Sequence, residues 1–483
     1  MELRKQYIVY TPFLFLLAFV FILFNCDVSS PLTFKYFGDS SIFMAMGKMF
    51  LEGKVPYVDF FDHKGPSFIL LEAFGQILAP GRLGIFLLEV LNLFFVLVFI
   101  SKIAGLLVDN KRKILLCLIF LIFSSRIISR GNTTEEFSLI PLFISLFLVC
   151  KYYFKTKEIS VMDGFLLGIC FSFLFWMRMN NAGAIVAICV FIFISTIIDR
   201  DYVFLKKLIL FFCLGQLPLS LLYIVYFSYH GALYDLMYAN FIFNFRYVNS
   251  FLSFEGEAFW VNVVVLIVLV IGSILHYRKE KDYKIFIFTT LLFFFSFITI
   301  NIGYAFTHYF ILICPAFVFG CLLILNSIDN DKLIKGGLLL AAIAFLGLLS
   351  RSAYYIIKEG ESFKLEAANY KKHVYALIDQ IPEEDRDKIY YYMVDVNFYV
   401  LADISANHKY FALQEWHGLH DESVFHEINQ MMRSTPPPYV MLPKDRKSLF
   451  EGKEYANPEF TQILRNNYSL FVENDDFVIL KLL

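Results

Sequence analysis

Two segments of this chain hold reactive side chains at densities that a membrane loop does not need for solubility. The first, GDSSIFMAMGKMFLEGKVPYVDFFDHKGP over 38–66, carries Asp39, Asp59, Asp62, His63 and Lys64. The second, SRGNTTEEFSL over 129–139, carries Arg130, Asn132, Glu135 and Glu136. Carboxylates in such loops can take a proton or hold a cation, and ammonium or guanidinium groups can hold an anion such as a phosphate. Two further points add cations: Arg178 before Asn180 and Asn181, and His308 with Tyr309 in THYFILICPAF. Charge costs several kcal/mol at membrane depth, so polar loops beside apolar spans are candidate sites by default. Each residue also has a plainer reading. Asp39 opens a helical stretch and can cap it, and Glu135 and Glu136 follow Thr133 and Thr134 as acids that suit a helix start. Arg178 can snorkel to the interface, and His308 can be a satisfied interfacial histidine.

The elements that must position these residues are membrane helices. The chain is 58% hydrophobic with 58 Phe, and its mean hydropathy is +0.63, beyond what one soluble core of this length requires. Apolar runs near 7–25, 83–107, 114–129, 137–154, 161–177, 182–198, 208–228, 258–275, 284–301, 309–326 and 336–350 predict an all-α bundle of about eleven spans. Basic residues fall on alternate loops, including Lys111, Arg112, Lys113, Arg278, Lys279, Lys281, Lys332 and Lys335. By the positive-inside rule those loops and the N-terminus are cytoplasmic, in a cytoplasmic (inner) membrane, which puts the candidate loops outside. The first apolar run has a basic start but no small-residue cleavage site, so it reads as a retained anchor. Between Asp27 and Arg82 the long first outer loop holds two apolar stretches too short to span, expected as interfacial helices.

Composition changes near residue 352. The transmembrane part is expected over 1–351 and a small extracytoplasmic α/β domain over 352–483, with strands at 390–399 and 476–480 and helices near 362–380 and 421–433. The eight cysteines lie nearly all in apolar runs and form neither a disulfide framework nor a Cys-x-x-Cys motif. No Walker loop or dinucleotide fingerprint is present. A net charge of −1 argues against bulk binding of nucleic acid. Glu89, alone within a span, is expected to pair with Asn92 or another helix.

The order of these motifs resembles the polyprenyl-phosphate-sugar-dependent glycosyltransferases of the GT-C superfamily, which include protein O-mannosyltransferases and lipid A aminoarabinose transferases. The resemblance rests on a first span, an Asp opening an outer-loop helix, a Gly53-x-x-Pro56-Tyr57 turn, then Asp62-His63-Lys64-Gly65-Pro66 before an apolar helix. It implies that Asp39 is the catalytic carboxylate and that Lys64, matching a Lys-Pro-Pro motif, contacts a lipid phosphate. Gly65 stands where that motif has its first Pro, which is expected to loosen the turn. Ser40 stands where the family often has a second acid. Glu135 or Glu136 matches the acidic residue of the second outer loop. His308 and Tyr309 match a basic-Tyr segment near the phosphate, and Arg130, Arg178 and His63 add to the substrate-binding side.

The function so implied is transfer of a sugar from a polyprenyl-phosphate donor to an envelope lipid, glycan or protein, with membrane lipid as surroundings and inversion at the anomeric carbon. A magnesium or manganese ion bridging Asp39 and Glu135 is compatible with the residues, and no cofactor is required by them. Two other functions use a similar loop: a glycolipid transporter or flippase, and a polysaccharide polymerase or ligase. The polymerase would draw on the loop from Tyr229 to Glu257, with Asp235, Arg246 and Glu255.

Overall fold

A computed structural model describes residues 2–33, 38–128, 130–156, 160–247, 257–302, 306–446 and 457–483. All of the apolar runs expected to span become helical. They are α1 (Glu2–Asn25), α4 (Arg82–Ala104), α5 (Asn110–Ser124), α7 (Leu139–Lys151), α8 (Val161–Phe175), α9 (Gly183–Ile198), α10 (Tyr202–Tyr229), α13 (Glu257–Glu280), α14 (Lys284–Asn301), α15 (Cys314–Asn326) and α16 (Asp331–Ile378). The helix numbering follows the chain, with α2, α3 and α6 introduced below and the short α11 (Leu233–Met237) and α12 (Phe243–Tyr247) lying after α10. Eight helical stretches among the described residues are long and apolar enough to cross a membrane. The others are shorter: the apolar part of α1 is Thr11–Asn25, and α5 and α8 have 15 residues each. The protein is a multi-pass membrane protein.

The helix starts are written in the sequence. Asp109 accepts the Arg112 N–H at 3.0 Å to open α5, Ser160 and Asp163 form a capping box on α8, and Asn330 accepts the Lys332 N–H at 3.0 Å to open α16. The basic loops meet one another at one end of the bundle, through Lys111–Asp331 at 2.9 Å and Lys284–Asp199 at 2.8 Å. In the first loop, α2 (Gly38–Leu51) and α3 (Pro66–Leu78) form as expected, and Pro66 sits at the first turn of α3, where a missing N–H costs nothing. Both are too short to span.

α16 corrects one expectation. The stretch 362–380 is not a separate helix but the continuation of the last apolar one, giving 48 unbroken residues. At 1.5 Å per residue that is about 72 Å, more than twice the ~30 Å hydrocarbon core. The compositional boundary at 351/352 thus falls inside one helix, whose end packs Val374, Leu377 and Ile378 into the C-terminal domain.

That domain is built on a four-stranded sheet in the order β1-β2-β4-β3, from β1 (Ile389–Tyr391), β2 (Tyr439–Pro443), β3 (Tyr468–Glu473) and β4 (Phe477–Leu482). β1 runs parallel to β2 and the other pairs are antiparallel, with Val440 opposite Leu480. The strand expected at 476–480 is β4, and the helix expected at 421–433 is Glu422–Ser434. The strand expected over 390–399 stops at Tyr391, because Asp395 accepts the Asn397 N–H at 2.8 Å and turns the chain into a short helix at Phe398–Leu401.

Two apolar cores result. One lies among the spans. The other joins α2, α3 and residues of α10 to the sheet, with Phe60 packed edge-on to Phe411 at 6.5 Å and Tyr57 stacked on Phe227 at 5.5 Å. The C-terminal domain is therefore seated on the first loop rather than tethered beside it.

Candidate active site

A cavity of about 330 Å³ opens where the first loop, the second loop and the C-terminal domain meet. Its walls carry Asp39, Lys64, Arg130, Glu135, Arg178 and His308, residues drawn from five separate stretches of chain.

Asp39 lies in the first turn of α2 and is exposed, facing the cavity. Among the described residues its carboxylate accepts no hydrogen bond, so it does not cap α2 through a backbone N–H of that helix. The carboxylate is free to act on something in the cavity.

Lys64 is held by the turn that precedes it. Tyr57, in the left-handed region at φ 69°, donates its hydroxyl to the Lys64 carbonyl at 2.8 Å. Asp62 accepts the Lys64 backbone N–H at 2.8 Å and faces the ammonium at 3.6 Å. The ammonium also donates to His63 Nε2 at 3.1 Å and lies 5.3 Å from the Phe43 ring centre. Since an ammonium only donates, His63 is neutral with its proton on Nδ1. Burial, then the charges of Lys64 and Arg178, holds the His63 imidazolium well below its ordinary range.

Gly65 does not loosen this turn. Its N–H donates to the Met177 carbonyl at 2.9 Å, and any Cβ at this position would run into the Trp176 carbonyl. Close backbone contact, rather than flexibility, explains the glycine.

Opposite Lys64, Thr133 accepts the Glu136 N–H at 3.2 Å and opens a single helical turn, α6 (Thr134–Phe137). That turn separates the two acids. Glu135 points into the cavity, where Oε1 accepts from Arg178 Nη1 at 2.7 Å and Oε2 stands 4.0 Å from His308 Nε2. Glu136 does not line the cavity; it turns back toward Glu89. Arg178 also donates to the Tyr309 hydroxyl at 2.6 Å and lies 4.5 Å over that ring, while its buried Nε has no acceptor among the described residues. It does not snorkel: its side chain is 10% exposed.

The C-terminal domain supplies the remaining wall with Ala412, Gln414, Trp416 and His417. Trp416 stacks on His417 at 3.8 Å and meets His63 edge-on at 6.0 Å. In sequence Trp416, His417 and Asp421 form an aromatic-acidic patch that suits either a sugar platform or ordinary core and surface, with the ordinary reading favoured; Trp416 and His417 instead line the cavity. Asn132 of the second loop donates to Ser40 at 2.9 Å and so ties the two loops beside Asp39. Glu89 meets Ser29 and the Asn132 N–H, not Asn92, which donates instead to the Glu136 carbonyl at 3.0 Å. Asp235 and Arg246 face the C-terminal residues Lys409 and Asp421, and Glu255 lies outside the described residues.

The fold is shared with crystal structures of ArnT from Cupriavidus metallidurans. The one bound to undecaprenyl phosphate has a TM-score of 0.60 at 11% identity, over 99% of this chain and 98% of that one. The apo state has a TM-score of 0.57 at 10% identity with the same coverage. No family model and no curated protein matches the chain in sequence. The architecture expected from the motifs, a helical membrane bundle followed by a small α/β domain, is the one found.

Proposed function

We propose that this protein is a membrane glycosyltransferase that moves a sugar from a polyprenyl-phosphate donor to an acceptor at the outer face of the cytoplasmic membrane. One observation carries the reading: Asp39, a carboxylate with no partner among the described residues, faces the same cavity as Lys64, Arg130 and Arg178 in a fold shared with an ArnT bound to undecaprenyl phosphate.

In this reading Asp39 takes the proton of an acceptor hydroxyl as its oxygen attacks the anomeric carbon. The bond from that carbon to the phosphate oxygen breaks, and the polyprenyl phosphate leaves with the bonding electrons. A single displacement inverts the anomeric centre. Lys64, Arg130 and Arg178 steady the departing charge, with the Nε of Arg178 as a donor still in need of an acceptor. Glu135, with Tyr309, fixes the guanidinium, so its role is to position a cation rather than to take a proton. His308 completes that corner of the wall. One Glu135 oxygen already accepts from the Arg178 guanidinium, and the other stands 4.0 Å from His308 Nε2, whose charged form burial disfavours. A magnesium or manganese ion bridging Asp39 and Glu135 would compete with Arg178, and the reading assigns the positive charge to the side chains instead. The buried first-loop aromatics give the sugar and lipid an apolar surround that strengthens every charge contact inside.

The test is transfer of labelled sugar from synthetic polyprenyl-phosphate donors to envelope extract by the purified protein. Turnover that depends on Asp39 supports the reading. Absence of transfer with every donor, together with movement of the glycolipid across a bilayer, would replace it with the transporter.

A further inference from the structure

Directly behind the second-loop wall, three side chains from three elements converge out of reach of the cavity. Cys26 follows α1 and is 0% exposed, Glu89 in α4 is 0% exposed, and Glu136 in α6 is 2% exposed. The Cys26 sulfur and one carboxylate oxygen from each glutamate lie within 4.8 Å of one another. Gly131, at φ +97°, carries the second loop across this group, and a side chain there would strike both the Glu89 carboxylate and the Cys26 sulfur. The loop is thus shaped to let the three approach.

The charge balance of the group is unfinished. Ser29 and the Asn132 N–H donate to Glu89, whereas neither oxygen of Glu136 has a donor in good hydrogen-bond geometry among the described residues. No ion pair among the described residues reaches Glu89 or Glu136: Arg178 is committed to Glu135, and Arg82 donates to the carbonyls of Asp27, Val28 and Ser30. Two buried carboxylates side by side need either a shared proton or a cation between them. The third vertex distinguishes the two. A thiol adds little to a proton-sharing pair, whereas a thiolate with two carboxylates is a ligand set for a borderline-soft divalent ion and a poor one for magnesium or calcium.

We propose that Cys26, Glu89 and Glu136 bind a structural zinc ion. Zinc takes sulfur at about 2.3 Å and carboxylate oxygen at about 2.0–2.2 Å, so the three side chains close in around it by roughly 1 Å. The Ser29 hydroxyl, beside Glu89, is the neighbour for the fourth position. As the ion enters, the thiol proton and the proton shared by the carboxyl pair leave to solvent, and no electron is transferred. The ion ties the end of the first span to α4 and to the residue that follows Glu135, and so braces the wall that holds Arg178. This site is independent of the proposed reaction, because none of its ligands lines the cavity.

The test uses the full chain purified in detergent without a polyhistidine tag or chelator, with metal content read by mass spectrometry. The expected result is about one zinc per chain in wild type and in Asp39→Asn, and its loss in Cys26→Ser and Glu136→Gln. Cobalt exchanged into the wild type should give a sulfur-to-metal charge-transfer band in the near ultraviolet. Should Cys26→Ser fail to fold, that band in the wild type decides by itself. Wild type without zinc and without the cobalt band would overturn the proposal and leave a carboxyl pair joined by a proton. Undiminished zinc in a folded Cys26→Ser would overturn it as well.

Discussion

At the residue scale the cavity separates groups that act from groups that hold. Asp39 accepts no hydrogen bond among the described residues, so Asp39→Asn should leave the fold and donor binding intact while turnover falls about a hundredfold or more. Measuring kcat and donor affinity in parallel checks this, and near-normal turnover would remove Asp39 as the base. Arg178 and Glu135 form a buried pair at 2.7 Å. Arg178→Ala leaves Glu135 as an uncompensated charge and should cost about 3–5 kcal/mol of stability. Adding Glu135→Gln to Arg178→Met should recover most of the thermal midpoint but not the donor use, which distinguishes a phosphate contact from a purely structural pair. Lys64 is buried against Asp62, so Lys64→Ala is expected to lower both stability and donor affinity.

At the element scale the first loop is fixed by backbone contact and by the C-terminal domain. Gly65→Ala drives a methyl group into the Trp176 carbonyl. It should destabilise the protein by about 1–3 kcal/mol and displace Lys64, seen as weaker donor binding at a temperature where the variant is still folded. His417, stacked on Trp416 against this loop, has its pKa pushed down to about 4 by burial, against an ordinary 6.5. The unfolded chain therefore takes up the proton first as pH falls. The stability linked to His417 is complete above about pH 6.5 and is lost as pH falls through about 4, a change of about 3 kcal/mol. The thermal midpoint should decline over that window, and His417→Gln should make the decline shallower; an unaltered slope would mean that His417 is not buried neutral.

At the scale of the whole molecule, the C-terminal domain and the membrane part share one apolar core, and the domain provides a wall of the cavity. Ending the chain after Ile378 would expose Phe60, Phe61 and the inner face of α2 to water. The truncated protein should lose binding of polyprenyl phosphate, as read by lipid binding in detergent. Retained binding would show that the outer domain is dispensable for the donor site. The basic loops gather at the end of the bundle away from this domain, so cysteines introduced near Lys111 should label only after permeabilisation, and cysteines in 379–483 should label from outside. The reverse pattern would invert the proposed topology.

Much of this was legible in the residues because it depends on local chemistry. A run of about twenty apolar residues has to become a helix in lipid, since nothing else there can satisfy its backbone, and so the bundle followed from sequence. The order of Asp39, Tyr57 and Lys64 likewise marked the first loop before any geometry was known. What sequence left open were choices between neighbours and contacts across long separations. Glu135 and Glu136 are the same residue type at adjacent positions. Only the single turn of α6, which points one toward Arg178 and the other toward Glu89, decides which faces the cavity. Trp416 lies more than 350 residues beyond His63, and no periodicity records that a sheet domain will bring it to 6.0 Å of that ring. Gly65 shows the same division in one residue: the sequence supplied the small side chain, and the Trp176 carbonyl packed against it supplied the reason.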